Sequence, residues 1–199
     1  MNKVLLYYSQ NGSYEFEQFI RHFLISIYGV LFASILAIPL GFLIARKGKL
    51  SNLFISIANV MQTIPSLAML AILMFAIGTG PNTVVLSVFL YSILPILKNT
   101  VAGINSVSPA IVDAAKGMGM TKSQIRRKIE FPLSVSIIMG GIRNALVVAI
   151  GVTAVGTFIG AGGLGDIITR GITVANGSPI IVAGAIPTAL MALSLIHIS

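Results

Sequence analysis

Few side chains in this sequence could do chemistry, and none is arranged to make or break bonds. Cysteine is absent, which removes thiol nucleophiles, disulfides and Cys-based metal sites. No nucleophile–base set and no metal-ligand set can be read in the apolar segments. What stands out is polar chemistry in apolar surroundings. Asn59, Gln62, Thr63, Pro65 and Ser66 interrupt a long hydrophobic run, and polar side chains there are costly unless they face another helix or a water-filled path. Arg143 and Asn144 interrupt another run in the same way. The largest polar interval is 113–132, with Lys116, Lys122, Arg126, Arg127 and Lys128 against Asp113 and Glu130. Its chemistry is that of charge and docking.

The interval has local structure of its own. Ser108-Pro109 reads as a helix start, a capping side chain followed by proline at the first helical position. Ile111, Ala115 and Met118 then fall on one face, with Val112 beside them. Gly117 and Gly119 interrupt that helix, and Thr121-Lys-Ser-Gln124 fits a capping box that opens a second one. Ile125 and Ile129 lie one turn apart on it, and Pro132 is expected to stop it. The expectation is two short helices meeting at a glycine corner, with a small apolar ridge suited to a groove on a soluble partner.

The surroundings of these groups are a membrane. Of 199 residues, 56% are hydrophobic and only 9% charged, and the apolar runs are too long for barrel strands. The expected fold is an all-α integral membrane protein in contact with lipid, with five spans at about 19–45, 53–77, 82–97, 135–158 and 179–196. Residues 1–18 read as an outer tail, with room for a short surface helix, whose apolar patch, Val4 to Tyr8, is too short for a signal-peptide core. The net charge of +8 does not point to nucleic acid, because the cations cluster between spans. Arg46, Lys47 and Lys49 fill one such loop, and Lys98 with the 113–132 cations fills the other. By the positive-inside rule both are cytoplasmic, which puts the N-terminus outside and the C-terminus inside.

Two groups of residues are candidates for a path. Asn59, Gln62, Pro65, Ser66, Tyr91 and Asn144 are placed to line a translocation route, and the residues leave open whether the polar ones serve as helix–helix glue instead. Gly160, Gly162, Gly163 and Gly165 form a glycine-rich run with no Lys-Ser/Thr after it, so it is no phosphate loop. A flexible outer gate or a re-entrant turn suits it better. His22, at the outer end of the first span, suggests an interfacial side chain.

The interval around 113–132 resembles the "EAA loop" of importer-type permeases of the ATP-binding-cassette transporters: E-A-A, three residues, G, nine residues, I-x-L-P. Here the positions are Asp113-Ala114-Ala115, Gly119 and Ile129-Glu130-Phe131-Pro132. Asp113 and Phe131 depart from the pattern but keep the chemical type. MQTIPSLAMLA at 61–71, YSILPILKNTVAGI at 91–104 and IGAGGLGDIITRGI at 159–172 are similar to permeases for glycine betaine, carnitine and choline. Permeases for amino acids such as methionine share the five-span plan. The resemblance implies a coupling loop at 108–132 that docks on an ATPase subunit through Asp113, Ala114, Ala115, Gly117, Gly119, Ile125, Ile129 and Pro132. It further implies a second permease subunit, identical or paralogous, and an extracellular or periplasmic solute-binding protein. This chain would bind no cofactor and no metal and would not be an enzyme, since ATP and magnesium belong to the ATPase. Its location would be the bacterial cell membrane. With no tryptophan, only Tyr28 and Tyr91 could contribute to a quaternary-ammonium site, and weakly.

A membrane anchor or assembly factor without transport is the reading from another class, and the loop motif and the polar string at 59–66 oppose it. The last stretch, 193–199, can be encoded by a sequence that matches a transposon adapter used in sequencing libraries. The expectation is that the native sequence departs after Ala192, so His197 is not read as a ligand.

Overall fold

The computed structural model describes residues 2–196, and every regular element among them is helical. In chain order these are α1 (Asn2–Ile44), α2 (Gly48–Thr63), α3 (Ser66–Ile77), α4 (Pro81–Ser106), α5 (Pro109–Gly117), α6 (Lys122–Ile125), α7 (Phe131–Val155), α8 (Leu164–Thr173) and α9 (Ser178–Ile196). A π-turn at Arg126–Glu130 joins α6 to α7, and a 3-10 turn at Gly156–Ile159 follows α7. Four helical stretches are long and apolar enough to cross a membrane: Lys3–Ile44, Pro81–Ser106, Lys122–Ile159 and Ser178–Leu195. The pair α2 and α3 makes a fifth only as a broken span, bent by 96°.

α4 is the centre. It is buried on most of its surface, from Thr83 to Ile104, and packs between α1 and α7. Small residues on the two flanking helices make room for it. On α1, Gly29, Ala33, Ala37 and Gly41 recur every four residues and form one stripe. A Cβ at Gly41 would lie 2.5 Å from Thr100, and one at Gly29 would lie 2.3 Å from Val88. On α7 the corresponding stripe is Gly141, Ala145 and Ala149, and a Cβ at Gly141 would lie 2.8 Å from the Pro95 carbonyl oxygen. In lipid no hydrophobic force drives helices together, so such close backbone approach is what holds them. α8 and α9 pack on each other and against α1, with Ile150, Leu164, Ile167 and Met191 buried between them.

Several boundaries differ from expectation, each for a physical reason. Residues 2–18, expected as a tail, are helical and continuous with the first span. At 1.5 Å per residue a helix of 43 residues is about 65 Å long, roughly twice a ~30 Å hydrocarbon core. The polar run Ser9 to Ser13 lacks proline and does not break it, and Tyr7, Tyr14 and Phe19 pack against the α8–α9 cluster. The third span runs on to Ser106. The second is not one helix: it breaks at Ile64-Pro65. Pro132 stops nothing, because it sits in the first turn of α7, where a missing N–H is tolerated. The wider π-turn before it makes room for the proline ring, with Phe131 N–H donating to the Arg126 carbonyl. Of the 193–199 stretch, residues up to Ile196 continue α9, and 197–199 lie outside the described residues.

Candidate functional site

The corner between α5 and α6 is built from local signals. Pro109 occupies the first turn of α5, although Ser108, at the cap position, makes no side-chain capping bond. Gly119 takes the turn at φ +80, a left-handed conformation that costs a residue with a Cβ about 1–2 kcal/mol. The capping box forms in both directions: Gln124 N–H donates to Thr121 Oγ1 at 3.3 Å, and Thr121 N–H donates to Gln124 Oε1 at 2.8 Å. Val107, Val112, Ala115 and Ile125 bury one another under the corner. The expected apolar ridge therefore splits in two. Ala115 and Ile125 turn inward, while Ile111 and Met118 are 46% and 75% exposed. Ile129 is half-buried against the same small cluster.

Charge locks the corner to the rest of the chain. Arg46, just after α1, donates to the buried Glu130 carboxylate at 2.9 Å. Nothing in the sequence marks this pair, whose members are 84 residues apart. Asp113 accepts from Lys116 at 2.8 Å, an exposed contact one turn apart. The Lys116 ammonium, by hydrogen bond and charge, holds the Asp113 carboxyl below its usual range.

The polar string at 59–66 lies at the break between α2 and α3. Ile64, in extended geometry at the break before Pro65, presents its carbonyl outside either helix, and the Tyr91 hydroxyl donates to it. Gln62 returns the contact, its Nε2 donating to the Tyr91 carbonyl at 2.8 Å. Tyr91 is buried by this clasp, Ser66 is half-buried, and Asn59 and Pro65 are exposed. Gln62 and the exposed Asn144 meet across a cleft of 340 Å³ between α2, α4 and α7, together with Pro95, Lys98 and Asn99. The candidate path residues thus divide: Gln62 and Asn144 share a cleft, Tyr91 and Pro65 shape the broken span, and Asn59 stands apart.

The glycine run is held down. Gly160, Gly162 and Gly163 all have positive φ, and the chain they bend is packed onto α1. Gly163 N–H donates to Gln18 Oε1 at 2.6 Å, and Leu164 N–H donates to His22 Nδ1 at 3.2 Å. His22 Nε2 in turn donates to the Ile150 carbonyl at 3.1 Å, so its ring, fully buried, bridges α7 and the start of α8. At Gly165 a Cβ would lie 2.1 Å from the Ala154 carbonyl oxygen. Both ends of α8 are tied to α1 as well: Asp166, in its first turn, accepts from the Tyr14 hydroxyl and from Arg170 Nε at 2.7 Å, and Arg170, in its last turn, covers the Tyr14 ring. His22 was legible only as a polar residue near a span end, and Gln18 fell within the expected tail; their partners are more than 100 residues away.

No group of three or more His, Asp or Glu able to hold a metal is present among the described residues. The geometry consists of an exposed helical corner, a broken span beside a polar cleft, and a pinned glycine turn.

Comparison with known proteins places this architecture. Over 193 residues, 97% of this chain and 86% of the relative, the sequence is 63% identical to the carnitine transport permease protein OpuCD of Listeria monocytogenes. It is 62% identical over 186 residues, 94% of this chain and 81% of the relative, to the glycine betaine/carnitine/choline transport system permease protein OpuCD of Bacillus subtilis. The fold matches a chain of the MetNI methionine ABC transporter, solved in inward-facing conformations, with a TM-score of 0.82 at 17% identity, covering 91% of this chain and 90% of that one. Residues 37–199 match the family model of binding-protein-dependent transport system inner membrane components. This chain belongs to that family of importer permeases: a membrane-spanning transport subunit, not an enzyme.

Proposed function

We propose that this chain is a permease subunit of an ATP-driven importer for quaternary-ammonium osmoprotectants: glycine betaine, carnitine or choline. The observation that carries the substrate class is the near-full-length likeness, above 60% identity, to permeases named for these solutes. The chain works beside a second permease subunit, identical or paralogous. An ATPase pair supplies ATP and magnesium chemistry, and an external binding protein delivers solute. The α5–α6 corner, from Asp113 through Gly119 to Pro132, docks on the ATPase, and the exposed Ile111 and Met118 support that reading. The cytoplasmic side is that of the basic loops, with the N-terminus outside and the C-terminus inside.

Transport follows by alternating access. Closure of the ATPase dimer moves the corner, and the spans rock about a path between the two permeases. Gln62 and Asn144, in the cleft by the broken span, offer amide groups to a solute carboxylate or hydroxyl. The 160–165 turn is the outer gate in this scheme, and opening it breaks the Gln18 and His22 contacts.

The test is uptake of labelled glycine betaine, carnitine and choline at high salt. The host lacks its own osmolyte importers and expresses this chain with its partner subunits. Salt-stimulated, ATP-dependent uptake of at least one solute is expected, and Gly119→Asp abolishes it without reducing the amount of chain in the membrane. Normal uptake by that variant would move the coupling point elsewhere. An assembled complex with active ATPase and no uptake of the three would remove the osmoprotectant class and leave another small solute, such as an amino acid.

A further inference from the structure

We propose that the end of α1 and the α5–α6 corner together form a binding site for one anionic phospholipid. Two adjoining hollows carry the inference. The first, 230 Å³, is walled by Arg46, Lys47, Lys116, Lys122 and Arg126, with Glu130 as its one acid. Arg46 is committed to Glu130 and Lys116 to Asp113. Lys47, Lys122 and Arg126 have no carboxylate within ion-pair distance among the described residues. The hollow is thus a pocket with three uncompensated cations over an apolar floor of Ile104, Val112 and Ile125.

The second hollow, 330 Å³, is a groove lined by Ile38, Pro39, Phe42 and Phe131, with Arg126 and Arg127 at its rim. The Phe42 and Phe131 rings stand 6.0 Å apart. Phe42 and Arg126 line both hollows, so the groove and the basic pocket are neighbours that share these two side chains. The walls of the groove come from α1 and from the α6 to α7 junction, parts of two stretches that are long and apolar enough to cross a membrane.

This pairing selects the occupant by charge and by polarity. A phosphate ester satisfies the guanidinium and ammonium groups. An acyl chain fills the groove, which a soluble anion would leave empty. Zwitterionic headgroups bring their own cation toward Lys47, Lys122 and Arg126 and are disfavoured. Basic pockets between span ends are a recurring way of holding anionic headgroups. The exposed apolar side chains of the corner, Ile111 and Met118, line neither hollow, so a lipid and the ATPase do not compete for them.

Because the chain has no tryptophan, Phe131→Trp introduces a single fluorophore at the groove. The full chain carrying it is reconstituted in vesicles of phosphatidylcholine with brominated phosphatidylglycerol or, separately, brominated phosphatidylcholine. Quenching by the anionic lipid is expected to show a relative binding constant on the order of fivefold higher. Adding Lys122→Gln and Arg126→Gln removes the preference, and Lys122→Gln alone, on an exposed side chain, reduces it if the double variant does not insert. A tryptophan placed instead at Leu31, further up α1, shows no preference. Equal quenching by the two lipids at position 131 overturns the proposal, as does a preference that survives both substitutions. Loss of the preference on adding millimolar inorganic phosphate at constant ionic strength assigns the pocket to a free anion and also overturns it. If the charge variants keep the lipid preference but no longer retain the ATPase, the face is a protein-docking surface and the lipid site is rejected.

Discussion

The α5–α6 corner and the 160–165 turn use the same device with opposite results. Each is a short glycine bend that ends one helix and starts another, and each needs a left-handed glycine, Gly119 in one and Gly160, Gly162 and Gly163 in the other. Around Gly119 there is nothing within 4 Å of where a Cβ would stand, and Met118 beside it is among the most exposed apolar side chains of the chain. Around Gly163 and Gly165 the space is full, and the backbone N–H groups are taken by Gln18 and His22. The first bend leaves open space at Gly119 and an exposed Met118 side chain. The second has spent its binding capacity on its own chain. Glycine content alone says nothing about mobility; what surrounds the glycine decides.

That contrast can be broken by substitution. The largest effect on folding is expected from Gly165→Val, which drives a branched side chain into the Ala154 carbonyl and costs more than the ~1–3 kcal/mol of ordinary overpacking. The measurement is the amount of chain in the membrane and its melting temperature in detergent; a normal melting temperature would show that α8 slides freely against α7. His22→Ala comes next. It strands the buried Leu164 N–H and removes the extra hydrogen bond to the Ile150 carbonyl, for a loss of about 2 kcal/mol, read as a fall in melting temperature. At the corner the order reverses between stability and function. Met118→Ser should leave the melting temperature within error of the parent and weaken retention of the ATPase during purification. Full retention would mean that this exposed side chain is not part of the docking surface. Gln62→Leu loses one half-buried hydrogen bond of about 1 kcal/mol to the Tyr91 carbonyl, a smaller loss than that of His22→Ala. If Gln62 meets the solute in the cleft, uptake falls far more than stability does; matched small losses would leave it as part of the clasp alone.

The reach of sequence reasoning followed how local the signals were. Capping at Thr121 and Gln124, the bend at Gly119 and the helix start at Ser178-Pro179 depend on neighbours within a turn, and they were legible. Apolar run length placed the start of α4 and both ends of α7 and α9 to within about a turn, but it ended α4 at 97 where the helix runs on to Ser106. Hidden features were set by partners far along the chain. Ser9 to Ser13 looks like a loop until Tyr8, Gln18 and His22 are seen bonding to α9, the glycine turn and α7. Pro65 signalled a disturbance in the second span, but its size, 96°, follows from Tyr91 and Gln62 clasping the break from the side. Pro132 misled because the rule that a proline ends the preceding helix assumes normal α-helical turns before it, and here a π-turn intervenes.

That π-turn makes α6 and α7 one continuous rod, Lys122–Ile159, about 55 Å long. In mechanical terms the chain owns a crank. Under the proposed docking of the ATPase, a torque applied at the corner does not dissipate in a flexible linker but arrives at the opposite end of the same shaft, where the 3-10 turn meets α3 and α8. The one soft bearing along it is the five-residue stretch in which each hydrogen bond spans an extra residue, and the Arg46–Glu130 pair bolts that bearing to the end of α1. A push that rotates the shaft must therefore also carry α1 or shear the bolt, so the choice between those two outcomes sets how far the spans move in each stroke.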